Sequence, residues 1–132
     1  MFKLDTLEIT NFRSYRHLLL DNISNLGLTL ISGSNGSGKS SIKNAIEYLL
    51  TDSTSEDIPL GEFSFNNEGN CILKCVLLGG IGVIEIIKYR DHSQFANRTV
   101  LSVNGVTDGF TESDRRETQK NIFNLLGLTK EL

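Results

Sequence analysis

The chain has 132 residues, of which 39% are hydrophobic and 22% are charged, and its formal net charge is −3. These values are typical of a soluble globular protein and predict one lobe over residues 1–132. They give no overall attraction to nucleic acid, and no apolar stretch is long enough for a membrane span or a secretory leader. A cytoplasmic location is therefore the default prediction.

The N-terminal part of the chain predicts short strands. Residues 3–10 alternate in polarity, as in an edge strand with some polar exposure. A turn near residues 11–15 leads to a second strand at 17–20, and a polar turn follows at 21–25. The sequence Leu-Thr-Leu-Ile at 28–31 then predicts a short buried strand.

The most informative segment follows that strand. Gly33-Ser34-Asn35-Gly36-Ser37-Gly38-Lys39-Ser40 fits G-x-x-x-x-G-K-[ST], the loop that surrounds the phosphates of ATP or GTP. After it, apolar residues recur at the spacing of an amphipathic helix, predicted from about Lys39 to Leu50. The residues of this stripe are Ile42, Ala45, Ile46, Leu49 and Leu50. A strand, a glycine loop and a helix in this order are the context that the motif requires.

The residue types in this loop suit phosphate chemistry. Its glycines lack a Cβ, so the loop can adopt positive φ and turn backbone N–H groups toward anionic oxygens. Lys39, the predicted catalytic residue, supplies a mobile charge that can bridge the β- and γ-phosphates. The Ser40 hydroxyl suits a Mg²⁺ shell, and Ser41 is placed to reach the α-phosphate. The predicted nucleotide-binding residues of this segment are Gly33, Ser34, Asn35, Gly36, Ser37, Gly38, Lys39, Ser40 and Ser41.

The remainder of the chain predicts one loop, further strands and a second helix. Residues 51–57 are polar and acidic, and the segment 51–70 is predicted to be a mobile loop. Apolar runs at 71–78 and 81–90 flank Gly79-Gly80, and Asn104-Gly105 marks a second hairpin turn. A helix capped by Thr111 or Ser113 is predicted through Leu126, with Gly127 as its C-cap. The predicted fold is therefore mixed α/β, a P-loop NTPase lobe with antiparallel hairpins around one P-loop helix and a C-terminal helix.

The two cysteines predict no disulfide. An extended chain places Cys71 and Cys75 roughly 13 Å apart, beyond the Cα separation of about 7 Å that a disulfide allows. A C-x-x-x-C pair without a nearby histidine is also a poor zinc site. Both residues are interpreted as small buried side chains.

Hydrolysis requires more than this loop. A P-loop enzyme needs a carboxylate at a strand end for the metal and a group that orients the attacking water. Glu85 is the one comparable acid, but Ile86 and Ile87 continue the apolar run beyond it. The favoured interpretation of Glu85 is an outward-facing strand residue, and the chain is expected to carry half of an ATPase.

These motifs together resemble the N-terminal ATPase lobe of the structural-maintenance-of-chromosomes (SMC) class. Within that class the chain is most similar to the double-strand-break-repair ATPase (SbcC-like, ABC-type) of bacterial and phage forms. The resemblance rests mainly on the segment 7–15 (Leu-Glu-Ile-Thr-Asn-Phe-Arg-Ser-Tyr) and on the phosphate loop. The segment 42–46, the Asn104-Gly105 hairpin and residues 123–128 also resemble family elements. In the helix, the family usually carries an acid where Asn44 stands.

The resemblance implies a composite enzyme. In such proteins a Gln-containing loop, a long coiled coil and a C-terminal lobe with the signature motif and an Asp-Glu pair follow the N-terminal lobe. ATP and Mg²⁺ lie between two heads in a head-to-head dimer, so this chain would become an ATPase only after completion by a C-terminal lobe and a second head. The implied partners are a metallophosphoesterase-type nuclease and, through the assembled complex, DNA in double-strand-break repair or recombination. The implied setting is the bacterial cytosol or a phage-infected cell.

Two alternatives stay open at this point. One is a phage-defence or gap-repair ATPase with the same lobe. The other is a non-catalytic module that uses nucleotide only to drive association with a partner. A self-contained small kinase or GTPase is disfavoured, because no second acid, lid arginines or base-recognition motif is visible in the sequence.

The resemblance also assigns a role to Arg13 and Ser14. In the family this motif lies beside the nucleotide, where a guanidinium can pair with phosphate or stack on adenine. Elsewhere, several basic residues could face DNA, but interleaved acids favour a scattered solvated surface. These residues are Lys88, Arg90, Arg98, Arg115, Arg116 and Lys120.

Overall fold

Alternating side chains explain the strands of the fold. The computed structural model describes residues 2–23 and 37–128, with the backbone alone for residues 37–39 and 60. In β1 (Lys3–Phe12), Leu7 and Ile9 are buried, whereas Glu8 and Thr10 lie on the opposite, partly exposed face. The other strands are β2 (Tyr15–Leu20), β3 (Cys71–Gly79), β4 (Gly82–Arg90) and β5 (Thr99–Val103).

These strands form one sheet in the order β2-β1-β3-β4-β5, and each pairing is antiparallel. On the inner face Ile9 lies opposite Leu73, and Ile86 lies between Cys75 and Leu101. Because β1 has a neighbour on each side, the prediction of an edge strand at residues 3–10 was wrong. The polar residues of β1 reflect the exposed outer face of the sheet, and among the described strands β2 and β5 lie at its edges.

Two helices cover the inner face of the sheet. Helix α1 (Ser37–Thr51) buries Ala45, Tyr48 and Leu49, and helix α2 (Arg115–Leu126) adds Ile122 to the same core. The observed α1 extends the predicted helix by a few residues at its N-terminal end. A helical stripe of apolar side chains packed on the alternating face of a sheet gives the mixed α/β architecture that was predicted.

The ends of α2 show how local chemistry selects a boundary. The helix begins after Asp114, whose carboxylate accepts a hydrogen bond from the Arg116 N–H at 2.9 Å. It ends at Gly127, which adopts φ 70 as predicted for a C-cap. The predicted caps Thr111 and Ser113 were wrong, since Thr111 Oγ1 bonds to the backbone N–H and C=O of Leu101 instead, at 2.7 and 2.6 Å. The Thr111 hydroxyl thereby supplies hydrogen-bond partners for the backbone of Leu101 in β5.

The segment between α1 and β3 contains two 3₁₀ turns, Leu60–Glu62 and Phe65–Asn67. Between them, the Phe63 ring packs edge-on against Phe12 at 5.1 Å and against Tyr48 at 5.3 Å between centroids. These contacts hold the segment against β1 and α1. Its mobility remains a prediction.

The predicted hairpins are confirmed. Strands β3 and β4 pair as far as Gly79 and Gly82, and Asn104 and Gly105 form a two-residue turn with φ of 51 and 82. Cys71 and Cys75 are free and buried, as interpreted, and burial raises the pKa of each thiol to about 12. In the parts of the chain that the structure describes, neither helix has the length and apolar character needed to cross a membrane.

Candidate nucleotide site

Helix α1 begins inside the predicted phosphate loop. Gly33, Ser34, Asn35 and Gly36 lie outside the described residues, as does the strand predicted at 28–31. The backbone of residues 37–39 (Ser37, Gly38 and Lys39) forms the first turn of the helix, while the side chains of these residues also lie outside the description. The first N–H groups of a helix have no partner within it, and no acidic side chain stands in this first turn to take that role.

A hydroxyl pair joins this helix to the turn between β1 and β2. Ser41 is 2% exposed, and its Oγ lies 2.7 Å from the Oγ of Ser14. The backbone N–H of Ser14 donates to the same Ser41 oxygen at 3.5 Å. The pair brings two residues that are 27 positions apart in the sequence to one place, beside the N-terminal end of α1.

Arg13 stands next to this pair in a left-handed conformation, with φ 48. Its N–H donates to the Phe63 carbonyl at 2.9 Å, and its Nη1 lies 3.6 Å from the Oε1 of Glu56. Arg13 is therefore bound through its backbone and through its guanidinium by the segment between α1 and β3.

A cavity of about 470 Å³ opens at this position. Four of its lining residues were singled out from the sequence, namely Arg13, Ser14, Ser40 and Ser41, and Ser40 is exposed. The remaining lining residues are Gly61, Glu62, Ser64 and Asn66. The lining is rich in hydroxyl, amide and charged groups, which suits a polar ligand more than an apolar one.

Sequence reasoning missed the second half of this lining. Gly61, Glu62, Ser64 and Asn66 belong to the segment that was predicted only as a loop. The backbone of Asn66 adopts φ 51, which Asn tolerates better than most residues. The Asn66-Asn67 pair was thus a signal for a tight turn, but nothing in the sequence indicated which surface this turn would face.

One buried amide on α1 finds no hydrogen-bond partner within residues 2–23 and 37–128. Asn44 is 0% exposed, and neither its Oδ1 nor its Nδ2 is hydrogen-bonded in the described part of the chain. It lies one turn after Ser41 and one turn before Tyr48. A buried amide without a partner costs stability, so the described residues give Asn44 no stabilising hydrogen bond.

A second polar cluster ties the other end of α1 to α2. Lys88 projects from the inner face of β4 with its side chain 1% exposed, and its Nζ donates to Asp52 Oδ1 at 3.0 Å and to the side chain of Gln119. Arg115 binds the other oxygen of Asp52 at 3.0 Å, and Gln119 Nε2 donates to the Leu50 carbonyl at 2.9 Å. Burial lowers the pKa of Lys88 to about 8, an effect that Asp52 partly offsets.

The interpretation of the basic residues as a scattered surface was therefore wrong for two of them. Lys88 is buried. The Arg90 guanidinium lies 4.5 Å from the centroid of the Phe63 ring, and Arg90 Nη1 donates a hydrogen bond to the Tyr48 hydroxyl at 3.0 Å. The others fit the favoured interpretation, since Arg98 is exposed, Arg116 pairs with Asp114, and Lys120 pairs with Glu117.

Glu85 lies on the outer face of the sheet, 3.5 Å from Lys74 Nζ. Its interpretation as an outward-facing strand residue is confirmed. No group of three or more His, Cys, Asp or Glu side chains within residues 2–23 and 37–128 is arranged to hold a metal ion.

Comparisons with known proteins agree with this architecture. The profile of the AAA domain family matches residues 6–131. The chain is 39% identical over 64 residues to the chromosome partition protein Smc of Methanocaldococcus jannaschii. The aligned region covers 48% of this chain and 5% of that protein. The chain therefore spans a small fraction of the length of this relative.

A solved structure shares the fold. It comes from work on the ATP-driven dimerization and DNA-stimulated activation of SMC ATPases, and it superposes with a TM-score of 0.55 at 21% identity. The superposition covers 96% of this chain and 81% of that one. The chain thus belongs to the AAA domain family, and it shares the fold of an SMC ATPase structure.

Proposed function

We propose that this lobe binds Mg²⁺–ATP through residues 33–41 and forms half of an ATPase head. The observation that carries the proposal is the cavity of about 470 Å³ beside the N-terminal end of α1. Four residues chosen for phosphate or metal contact from the sequence line one side of it. Arg13 and Ser14 reach it from the β1–β2 turn, and Ser40 and Ser41 reach it from α1.

The electrostatics of α1 support an anionic ligand. Free N–H groups and the helix dipole give the N-terminal end of a helix a partial positive charge, which acidic side chains commonly neutralise. Helix α1 has no acid in its first turn. Phosphate oxygens would supply the missing negative charge, with Lys39 as a further cation.

The hydroxyl groups have separate roles in this proposal. The exposed Ser40 would hold the Mg²⁺ that accompanies the nucleotide and neutralises its phosphate charge. Ser41, held by Ser14, fixes the β1–β2 turn against the helix and so positions Arg13 beside the phosphates. Ser14 and Ser41 therefore act mainly by orienting their neighbours.

The rest of the cavity suits the nucleoside. Glu62 is the acidic residue of this lining, and a carboxylate facing a triphosphate would repel it. Glu62 would therefore face donor groups of the sugar or base, with the phosphates at the helix end. Gly61 leaves open space, since a Cβ added there would meet no atom within 4 Å.

Turnover requires groups from elsewhere. Glu85 points to the outer face of the sheet, away from α1, and pairs there with Lys74. We therefore expect hydrolysis only after a C-terminal lobe and a second head complete the site. By resemblance, the assembled complex would act on DNA in double-strand-break repair or recombination and would gate a metallophosphoesterase-type nuclease.

Calorimetric titration of the chain with Mg²⁺–ATP tests the site. Lys39→Ala should remove most of the affinity and leave the circular dichroism spectrum unchanged. Lys43→Ala is the matched control, because Lys43 is an exposed lysine one turn further along the same helix. Equal binding by Lys39→Ala and the parent chain would refute the proposal.

A second assay separates the alternatives. Phosphate release is measured after mixing this chain with the C-terminal lobe of its own ATPase. Turnover on mixing supports the composite enzyme, whereas tight binding without turnover supports the association module. A nuclease stimulated by the mixture would distinguish the repair role from a phage-defence or gap-repair role.

A further inference from the structure

The segment between α1 and β3 contacts Arg13 at two points and partly shields it from solvent. Its backbone N–H is fixed by the Phe63 carbonyl at 2.9 Å, and its guanidinium lies 3.6 Å from Glu56. The arginine is the covered partner, with 23% of its side chain exposed, whereas 53% of the Glu56 side chain is exposed. The carboxylate can therefore leave the pair at little cost in contacts, while the backbone of Arg13 stays bound to Phe63.

Glu56 is presented by an ordered turn. The Thr54 hydroxyl donates to the Glu56 carbonyl at 2.7 Å, and the Ser55 N–H donates to the Glu47 carboxylate of α1 at 3.4 Å. These bonds place the Glu56 side chain beside Arg13. The acids on either side of this position in the segment are placed elsewhere, since Asp52 binds Lys88 and Arg115, and Asp57 lines a different cavity together with Tyr48 and Arg90.

We infer that Glu56 is a displaceable counter-ion that competes with the nucleotide phosphate for Arg13. This inference rests on the proposed function, because it requires a phosphate near Arg13. The Arg13–Glu56 separation of 3.6 Å is too long for a hydrogen bond, so the pair is held by charge alone. A phosphate can accept two guanidinium N–H groups at hydrogen-bond distance and is the stronger partner.

The exchange gives the site an autoinhibitory contact. Without nucleotide, Glu56 neutralises Arg13 and lowers the positive potential at the cavity. With nucleotide, Arg13 turns to the phosphate and Glu56 is released into solvent. Removing the carboxylate should therefore make nucleotide binding tighter, although the residue contacts no ligand itself.

Glu56→Gln tests this inference in calorimetric titrations with Mg²⁺–ATP at low ionic strength. Exposed ion pairs are weak, so we expect the dissociation constant to fall by about two- to five-fold. The gain should shrink at high salt because the competing charge is partly exposed to solvent. Glu117→Gln is the matched control, since Glu117 also forms an exposed ion pair, with Lys120 on α2, and does not line the cavity.

A double-mutant comparison assigns the effect to Arg13. Arg13→Ala should weaken binding, and adding Glu56→Gln to that variant should change nothing further. A dissociation constant for Glu56→Gln equal to that of Glu117→Gln would overturn the inference. A gain that persists in the Arg13→Ala background would overturn it as well, because the carboxylate would then act on the ligand directly.

Lys39→Ala distinguishes a failure of the counter-ion inference from a failure of the proposed nucleotide site. If Lys39→Ala abolishes binding while Glu56→Gln has no effect, the counter-ion inference fails and the nucleotide site stands. If Lys39→Ala binds like the parent chain, both are refuted. Thermal unfolding of each variant establishes that a change in affinity does not come from a loss of folded protein.

Discussion

The buried Lys88 makes folding stability depend on pH in an unusual direction. Desolvation lowers its pKa from 10.5 to about 8 in the folded chain, while in the unfolded chain the amine is hydrated and keeps its ordinary value. Between these two pH values the unfolded state binds the extra proton. The free energy of unfolding should therefore rise as the pH increases from about 8 to about 10.5.

The size of this rise follows from the shift. One pKa unit corresponds to about 1.4 kcal/mol, so the full change attributable to Lys88 is about 3 kcal/mol. The cysteines act in the opposite direction. Burial raises the pKa of the Cys71 and Cys75 thiols to about 12, and stability from these groups is lost as the pH rises beyond their unfolded values.

A comparison with Lys88→Met isolates the lysine, because both proteins keep the cysteines. Methionine has a similar length and no charge, and Asp52 retains its ion pair with Arg115. We expect the unfolding free energy of the parent chain minus that of Lys88→Met to increase by up to about 3 kcal/mol across this pH range. The chain has no tryptophan, so urea unfolding is followed by far-ultraviolet circular dichroism.

Lys120→Met provides the control for this measurement. Lys120 lies on α2 with its side chain 69% exposed, so its replacement should leave the pH profile parallel to that of the parent. The unfolding free energy of the parent minus that of Lys88→Met should rise between about pH 8 and 10.5. If this difference stays constant or falls over that range, Lys88 is not desolvated.

Two further predictions concern buried polar groups. Asp52→Asn should lower the unfolding free energy by about 2–4 kcal/mol at pH 7, because Lys88 loses its charged partner, and urea titration at pH 10 should show a smaller loss. Asn44→Leu should leave the thermal midpoint unchanged or raise it, since the replaced amide has no partner in the described residues. A loss of more than about 1 kcal/mol for Asn44→Leu would show that the amide is hydrogen-bonded.

Short-range patterns were reliable guides to the fold. Helix α1 was predicted at about 39–50 and is observed at Ser37–Thr51, and β3 and β4 agree with the predicted strands to within one residue. The Asn104-Gly105 turn and the Gly127 cap were also confirmed. These features depend on side-chain periodicity and on backbone conformations that a few adjacent residues decide.

Predictions that depended on contacts between distant segments of the chain were less successful. The interior position of β1 in the sheet depends on its pairing with β3, which lies more than 60 positions later in the chain. The polarity of β1 alone therefore led to the wrong prediction of an edge strand. Lys88 is instructive, because strand alternation already places it on the same face as Ile84 and Ile86. That signal was available, but the acids interleaved with the basic residues were taken as evidence of a solvated surface.

For the candidate site, the sequence alone predicted a phosphate loop, since a short run of glycines with Lys39 and Ser40 is a local pattern. It also indicated Arg13 and Ser14 by resemblance. Only the tertiary structure brought Glu62 and Asn66 to the cavity, placed Glu56 beside Arg13, and buried Lys88 against Asp52 and Gln119. Periodicity specifies which face of an element is apolar, whereas the choice of what packs against that face depends on contacts between distant segments.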